Sequence, residues 1–231
     1  MEIRFSNRRL FRYLCTRKRT NIERKIAQKS MKELARLAIF AGALIGIGGL
    51  IYLNLGGLAG AALFAFGLAA VIICRAQLFT GKAGYLPYRD WPRLIAIIAF
   101  NAVGCLLLAT LTLYSTNEQL FTNLDKIILA RQTASWHAIL VTAIGTGAIM
   151  TIAVFGALRK NFIPLLLGVP VFILCGLPHC VADAFYYAAK GLNDGFGWWM
   201  LGAWWPAIIG NYIGCNLPRI LMGKANFERI E

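Results

Sequence analysis

Two short stretches hold the groups that could do chemistry. Leu78-Phe79-Thr80-Gly81-Lys82 follows one long apolar run, and Gly176-Leu177-Pro178-His179-Cys180-Val181-Ala182-Asp183 follows another, far downstream. The Thr80 hydroxyl can donate one hydrogen bond. The His179 imidazole can donate one when neutral, or hand a proton to a bound anion. Both sit where a membrane helix should be smooth and apolar. A helix broken in hydrocarbon leaves N–H and C=O groups unpaired, unless protein or a water-lined cavity supplies partners. Two interruptions, one in each half of the chain, predict a substrate path near mid-bilayer. An anion entering an apolar constriction loses its water at high cost. The N–H groups that open each half-helix, after Thr80 and after His179, carry partial positive charge and would offset that cost. Thr80 can also cap its helix, a role compatible with substrate contact. Lys82 either draws anions to the inner mouth or is an ordinary cytoplasmic-side residue.

Membrane helices must position these groups. The chain has 231 residues, 58% of them hydrophobic and 15% charged, with mean hydropathy +0.62. A soluble domain carries about 25% charged residues. A bilayer core takes about 20 apolar residues per helix, and roughly six such stretches are present. They run near 34–54, 57–79, 93–115, 136–158, 162–188 and 197–222. A soluble core cannot absorb them, so the fold class is an all-α membrane protein of six transmembrane helices, the second and fifth broken. The net charge of +14 is concentrated ahead of the first span, from Arg4 to Arg36. This obeys the positive-inside rule and suits anionic lipid, which makes a nucleic-acid partner the poorer reading. Lys82, Arg89, Arg93, Arg159, Lys160, Arg219 and Lys224 follow the even-numbered spans, while 53–57, 116–135 and 190–196 are near neutral and are expected as outside loops. Both termini are therefore expected in the cytoplasm of a multi-pass inner (plasma) membrane protein. No cleavable signal peptide is expected, because the basic stretch is long and no cleavage site follows a short apolar core. The expected division is a basic arm over 1–32 with an amphipathic helix, a channel domain over 33–225 and a tail over 226–231.

Cys15, Cys74, Cys105, Cys175, Cys180 and Cys215 suggest neither a disulfide framework nor a metal site, and no cofactor is expected. The halves echo each other. Asn101-Ala-Val-Gly104-Cys105 lies in the third span and Asn211-Tyr-Ile-Gly214-Cys215 in the sixth, each after an interrupted span. That predicts two inverted three-helix repeats, with Asn101 and Asn211 bracing the two breaks. Trp204 and Trp205, deep in the sixth span, are expected to face lipid or a neighbouring subunit.

Residues 30–225 resemble the formate/nitrite transporter family. The match rests on Leu78-Phe79-Thr80-Gly81, on His179 with Cys180-Val181-Ala182, and on Phe64, Leu68 and Phe172 at the family's spacings. The resemblance implies an aquaporin-like fold and a homopentamer with one pore per subunit. Phe64, Leu68, Leu78, Phe79 and Phe172 would line narrow apolar constrictions, with Thr80 and His179 between them. It also implies passage of small monovalent anions such as formate or nitrite, proton-linked through His179, with lipid around the subunits. Hydrosulfide, acetate or lactate are alternative cargoes. A neutral-solute channel of aquaporin type would carry paired Asn-Pro-Ala motifs, which this chain lacks. An enzyme would need an activating base beside His179 or Cys180, and no such constellation is visible. The chain departs from the family pattern at Gln77, Lys82, Pro178 and Asp183, and Arg75 adds an ion in a span. Arg75 and Asp183, one near each break, are expected to pair.

Overall fold

The computed structural model describes residues 30–223 and Phe227, all helix, turn and loop with no strand among them. Residues 1–29, 224–226 and 228–231 lie outside the described residues, so most of the basic arm and the end of the tail do too. The chain divides into two compact units, Met1–Arg36 and Leu37–Glu231. Of the first, the described part is helix over 30–36. The second holds everything else described below.

In order, the helices are α1 (Ser30–Leu55), α2 (Gly57–Ile73), α3 (Phe79–Ala83), α4 (Trp91–Ala109), α5 (Glu118–Thr133), α6 (Trp136–Leu158), α7 (Ile163–Leu174), α8 (Cys180–Asp194) and α9 (Trp198–Met222). Among the described residues, three are long and apolar enough to cross a membrane: α1, α4 with its 3-10 extension to Tyr114, and α6. Helix α9 has 25 residues but carries Asn211, Asn216 and Arg219. Helices α2 and α7 are apolar but have only 17 and 12 residues. At about 1.5 Å per residue, α7 covers about 18 Å of a core about 30 Å thick. Helices α2 and α7 are each followed, after a break, by a further helix, α3 and α8 respectively.

The two breaks are built alike. After α2, the amides of Arg75 and Ala76 bond to the carbonyls of Ile72 and Val71; after α7, those of Gly176 and Leu177 bond to Ile173 and Phe172. This is the Schellman ending, which needs a left-handed residue just past the helix. Arg75 takes that place with φ 52° and Gly176 with φ 66°. Glycine accepts the conformation freely, whereas a side chain there costs about 1–2 kcal/mol.

Close backbone approach also recurs in both halves. A Cβ on Gly104 would collide with the Ile39 carbonyl, and one on Gly214 with the Ile144 carbonyl. Helix α4 thus packs directly on α1, and α9 on α6, as small residues permit in membranes. Leu58, Phe66, Ile73, Leu107, Leu167 and Trp205 are exposed on the outside. In water so much apolar surface would be a liability; against lipid it is required.

One segment differs from the sequence expectation. Residues 116–135, expected as a loop, form α5. Asn117 caps it by accepting from the Gln119 N–H, and Leu120, Leu124 and Ile128, four apart, are its buried face. That face packs toward α8. Because the segment also carries Glu118, Gln119, Asn123, Asp125, Lys126 and Arg131, a search for 20-residue apolar stretches passes over it.

Candidate functional site

Thr80 is the second residue of α3 and His179 is the N-cap of α8. The structure brings Thr80 Oγ1 within 3.0 Å of His179 Nε2. Both are buried. The other ring nitrogen, Nδ1, accepts the Ala182 N–H at 3.1 Å. In a neutral ring, Nδ1 is then the lone-pair nitrogen and the proton sits on Nε2. His179 donates to Thr80, and the threonine hydroxyl keeps its own proton to offer a third partner.

The side chains around this pair come from both halves. The Phe172 ring stacks on the imidazole, with centroids 5.5 Å apart, and meets the edge of Phe64 at 6.1 Å. Leu68 on α2 and Leu78, the N-cap of α3, are buried. Phe79 is buried as well, and its ring lines an apolar groove with Trp91, Trp204 and Trp205. Lys82 lies in the last turn of α3, half-buried.

Each break is tied to its neighbours by one asparagine. Asn101 Nδ2 donates to the carbonyls of Ala38 (2.7 Å) and Gln77 (2.9 Å), and its Oδ1 accepts the Phe79 N–H at 2.9 Å. Asn211 Nδ2 donates to Ala143 (2.8 Å) and Pro178 (3.0 Å), and its Oδ1 accepts the Cys180 N–H at 2.8 Å. Every group is matched between the halves. The first amides of α3 and α8 are therefore satisfied by protein, and Ala182 N–H by His179. The partial positive charge at these helix ends is correspondingly less available to an anion than a free helix start would be. Two thiols reach across the halves: Cys105 Sγ lies 3.3 Å from both the Gly42 and the Val181 carbonyls, and Cys215 Sγ donates to the Thr80 carbonyl (3.4 Å).

The pairing of Arg75 with Asp183 does not form. Asp183 is 1% exposed, and Arg131 Nε reaches both its carboxylate oxygens at 3.2 and 3.3 Å. Arg131 Nη1 also donates to the Gly176 carbonyl at 3.0 Å, at the second break. Arg75 is exposed, as are Ile73 and Cys74 before it at the end of α2. A cavity of about 240 Å³ lies where α5, α7 and α8 meet, lined among others by Arg131, Asp183, His179 and Phe172.

The family model described as formate/nitrite transporter matches residues 15–222. The chain belongs to the formate/nitrite transporter family. Its fold is similar to that of a solved structure described as "Pentameric formate channel with formate bound", with TM-score 0.73 and 21% identity over 84% of this chain and 96% of that one. A second structure, described as "FNT family ion channel", gives TM-score 0.66 and 21% identity over 86% and 96%. No curated protein matches the chain. Membership in this family makes it a membrane protein of the transporter class.

Two features of this family member are not visible in the sequence. Arg131 reads there as one of the balanced charges of a loop, although the four-residue spacing of Leu120, Leu124 and Ile128 marks a helix that could carry it inward. Trp204, expected to face lipid or a neighbouring subunit, donates its indole N–H to the Cys180 carbonyl at 2.7 Å and so secures the first turn of α8. Neither partnership is encoded by spacing.

Proposed function

We propose that this chain passes small monovalent anions, formate, nitrite or similar, through a pore in each subunit, with proton linkage through His179. The observation that carries the reading is the buried 3.0 Å contact between His179 Nε2 and Thr80 Oγ1, one group at the start of each half-helix. An anion there meets the free Thr80 hydroxyl proton. Phe64, Leu68, Leu78, Phe79 and Phe172 form the apolar constrictions on either side, and Lys82 serves the inner mouth. Asn101 and Asn211 hold the two breaks open.

Proton linkage has a structural condition. The neutral ring holds its one proton on Nε2. To give a proton away it must first gain one at Nδ1, which ends the bond from Ala182 N–H. Uptake of a proton by His179 is therefore tied to loosening of the first turn of α8. With a proton moved from the ring to the anion, the neutral acid crosses an apolar slit at far lower cost than the ion.

The wider arrangement follows the same reading: six spans as two inverted three-helix repeats, aquaporin-like, with both termini in the cytoplasm of the inner membrane. Its support is the matched asparagines and Schellman breaks, and the Lys and Arg residues of the arm and of one set of loops. Residues 1–32 are the basic arm at the lipid surface, 33–225 the channel domain and 226–231 the tail. The assembly is a homopentamer, supported by the similarity of the fold to a formate channel described as pentameric.

The test is flux in proteoliposomes with formate, nitrite, hydrosulfide, acetate and lactate at two pH values, beside stopped-flow water and glycerol permeability. Formate or nitrite flux that responds to pH is expected. Water or glycerol flux without anion flux overturns the reading.

A further inference from the structure

We propose that Asp183 sets how tightly the cavity beside His179 holds an anion, by cancelling one of the two positive charges that face it; this rests on the anion-pathway reading. The charged residues lining that cavity are Lys126, Arg131 and Asp183. Two cations thus face one carboxylate. Asp183 lies four residues after His179, the N-cap of α8, and both residues line the cavity. The carboxylate is buried against Arg131, whose guanidinium is fixed by it and by the Gly176 carbonyl.

The electrostatics follow from that geometry. A lone buried guanidinium beside the imidazole would act on an arriving anion as a full charge in a medium of low dielectric. Paired with Asp183 it acts as a dipole, whose pull falls off faster with distance. Lys126 on α5 is exposed, so solvent and salt weaken its contribution. The cavity therefore attracts anions without retaining them. Release toward or away from His179 stays fast at the expense of affinity. The effect acts on charge and not on shape, so formate and nitrite should respond alike.

The experiment measures the concentration dependence of formate and nitrite uptake in proteoliposomes for the intact chain and three variants. Asp183→Asn keeps the size and an acceptor for Arg131 but removes the charge. Its half-saturating concentration should fall about tenfold for both anions, and its maximal rate should fall with it. Asp183→Glu keeps the charge and should restore the wild-type concentration dependence. Lys126→Gln, at an exposed position, should raise the half-saturating concentration by roughly twofold. A purely structural role for Asp183 would lower the amount of folded protein or the maximal rate and leave half-saturation alone. An unmoved or raised half-saturation in Asp183→Asn overturns the proposal. Should that variant not fold, an unmoved value in Lys126→Gln overturns it. Absence of uptake of every anion of the five-anion panel by the unaltered chain overturns the pathway reading itself, whereas uptake with unmoved half-saturation overturns this inference alone.

Discussion

Thr80 Oγ1 and His179 Nε2 lie 3.0 Å apart although 99 positions separate them in the chain. Replacing His179 by Asn keeps an amide donor but removes the titrating ring. Uptake should lose its pH dependence, which paired flux curves at two pH values would reveal. Formate and nitrite fluxes that keep their pH response would remove the proposed role of the ring.

Thr80→Val leaves the His179 Nε2–H without its acceptor and takes away the hydroxyl proposed to meet the anion. A buried unpaired donor costs about 1–3 kcal/mol. Anion flux should drop about tenfold or more, while Thr80→Ser retains most of it. Equal flux in the Val and Ser variants would contradict this.

Asn101→Ala and Asn211→Ala each strand one amide and one carbonyl at a break and remove a bond to a neighbouring helix. Each should lose about 2–4 kcal/mol of stability. The heat-unfolding midpoint of the detergent-purified protein should fall by at least about 5 °C. Similar losses in the two variants are expected, since their hydrogen bonds correspond one for one.

Gly104→Ala would drive a methyl into the Ile39 carbonyl, whereas a methyl on Gly202 meets nothing within 4 Å. The first should reduce folded yield sharply and the second should not. Fluorescence-detected size-exclusion profiles of both variants decide it.

Arg75→Gly should stabilise the protein by about 1 kcal/mol, because the left-handed residue after α2 then carries no side-chain penalty. Gly176→Ala should destabilise by a similar amount. A fall in thermal midpoint for Arg75→Gly would show that the arginine side chain contributes more than its backbone costs.

The parts of this protein that are legible in the sequence are those that repeat. Asn101-x-x-Gly104-Cys105 and Asn211-x-x-Gly214-Cys215 can be read as equivalent without coordinates, because close packing and polar satisfaction in lipid restrict the residue types so strongly. The polar interruptions at Thr80 and His179 stand out for the same reason. What sequence does not supply is who pairs with whom. Asp183 needs a buried cation, and Arg75 suggests itself because it lies near the other break. Arg75, at the end of α2, is exposed. The true partner, Arg131, is carried by α5, whose apolar stripe is one residue wide per turn. The tautomer of His179 is equally hidden, since it follows from a single backbone N–H.

The crossed thiols bear on how the molecule is made. The Thr80 carbonyl receives its sulfur partner from Cys215, close to the end of the chain, and the Val181 carbonyl from Cys105, well before it. The short helix α3 of the earlier half therefore lacks one of its hydrogen-bond partners until α9 has docked against it, and seating of one half is coupled to seating of the other.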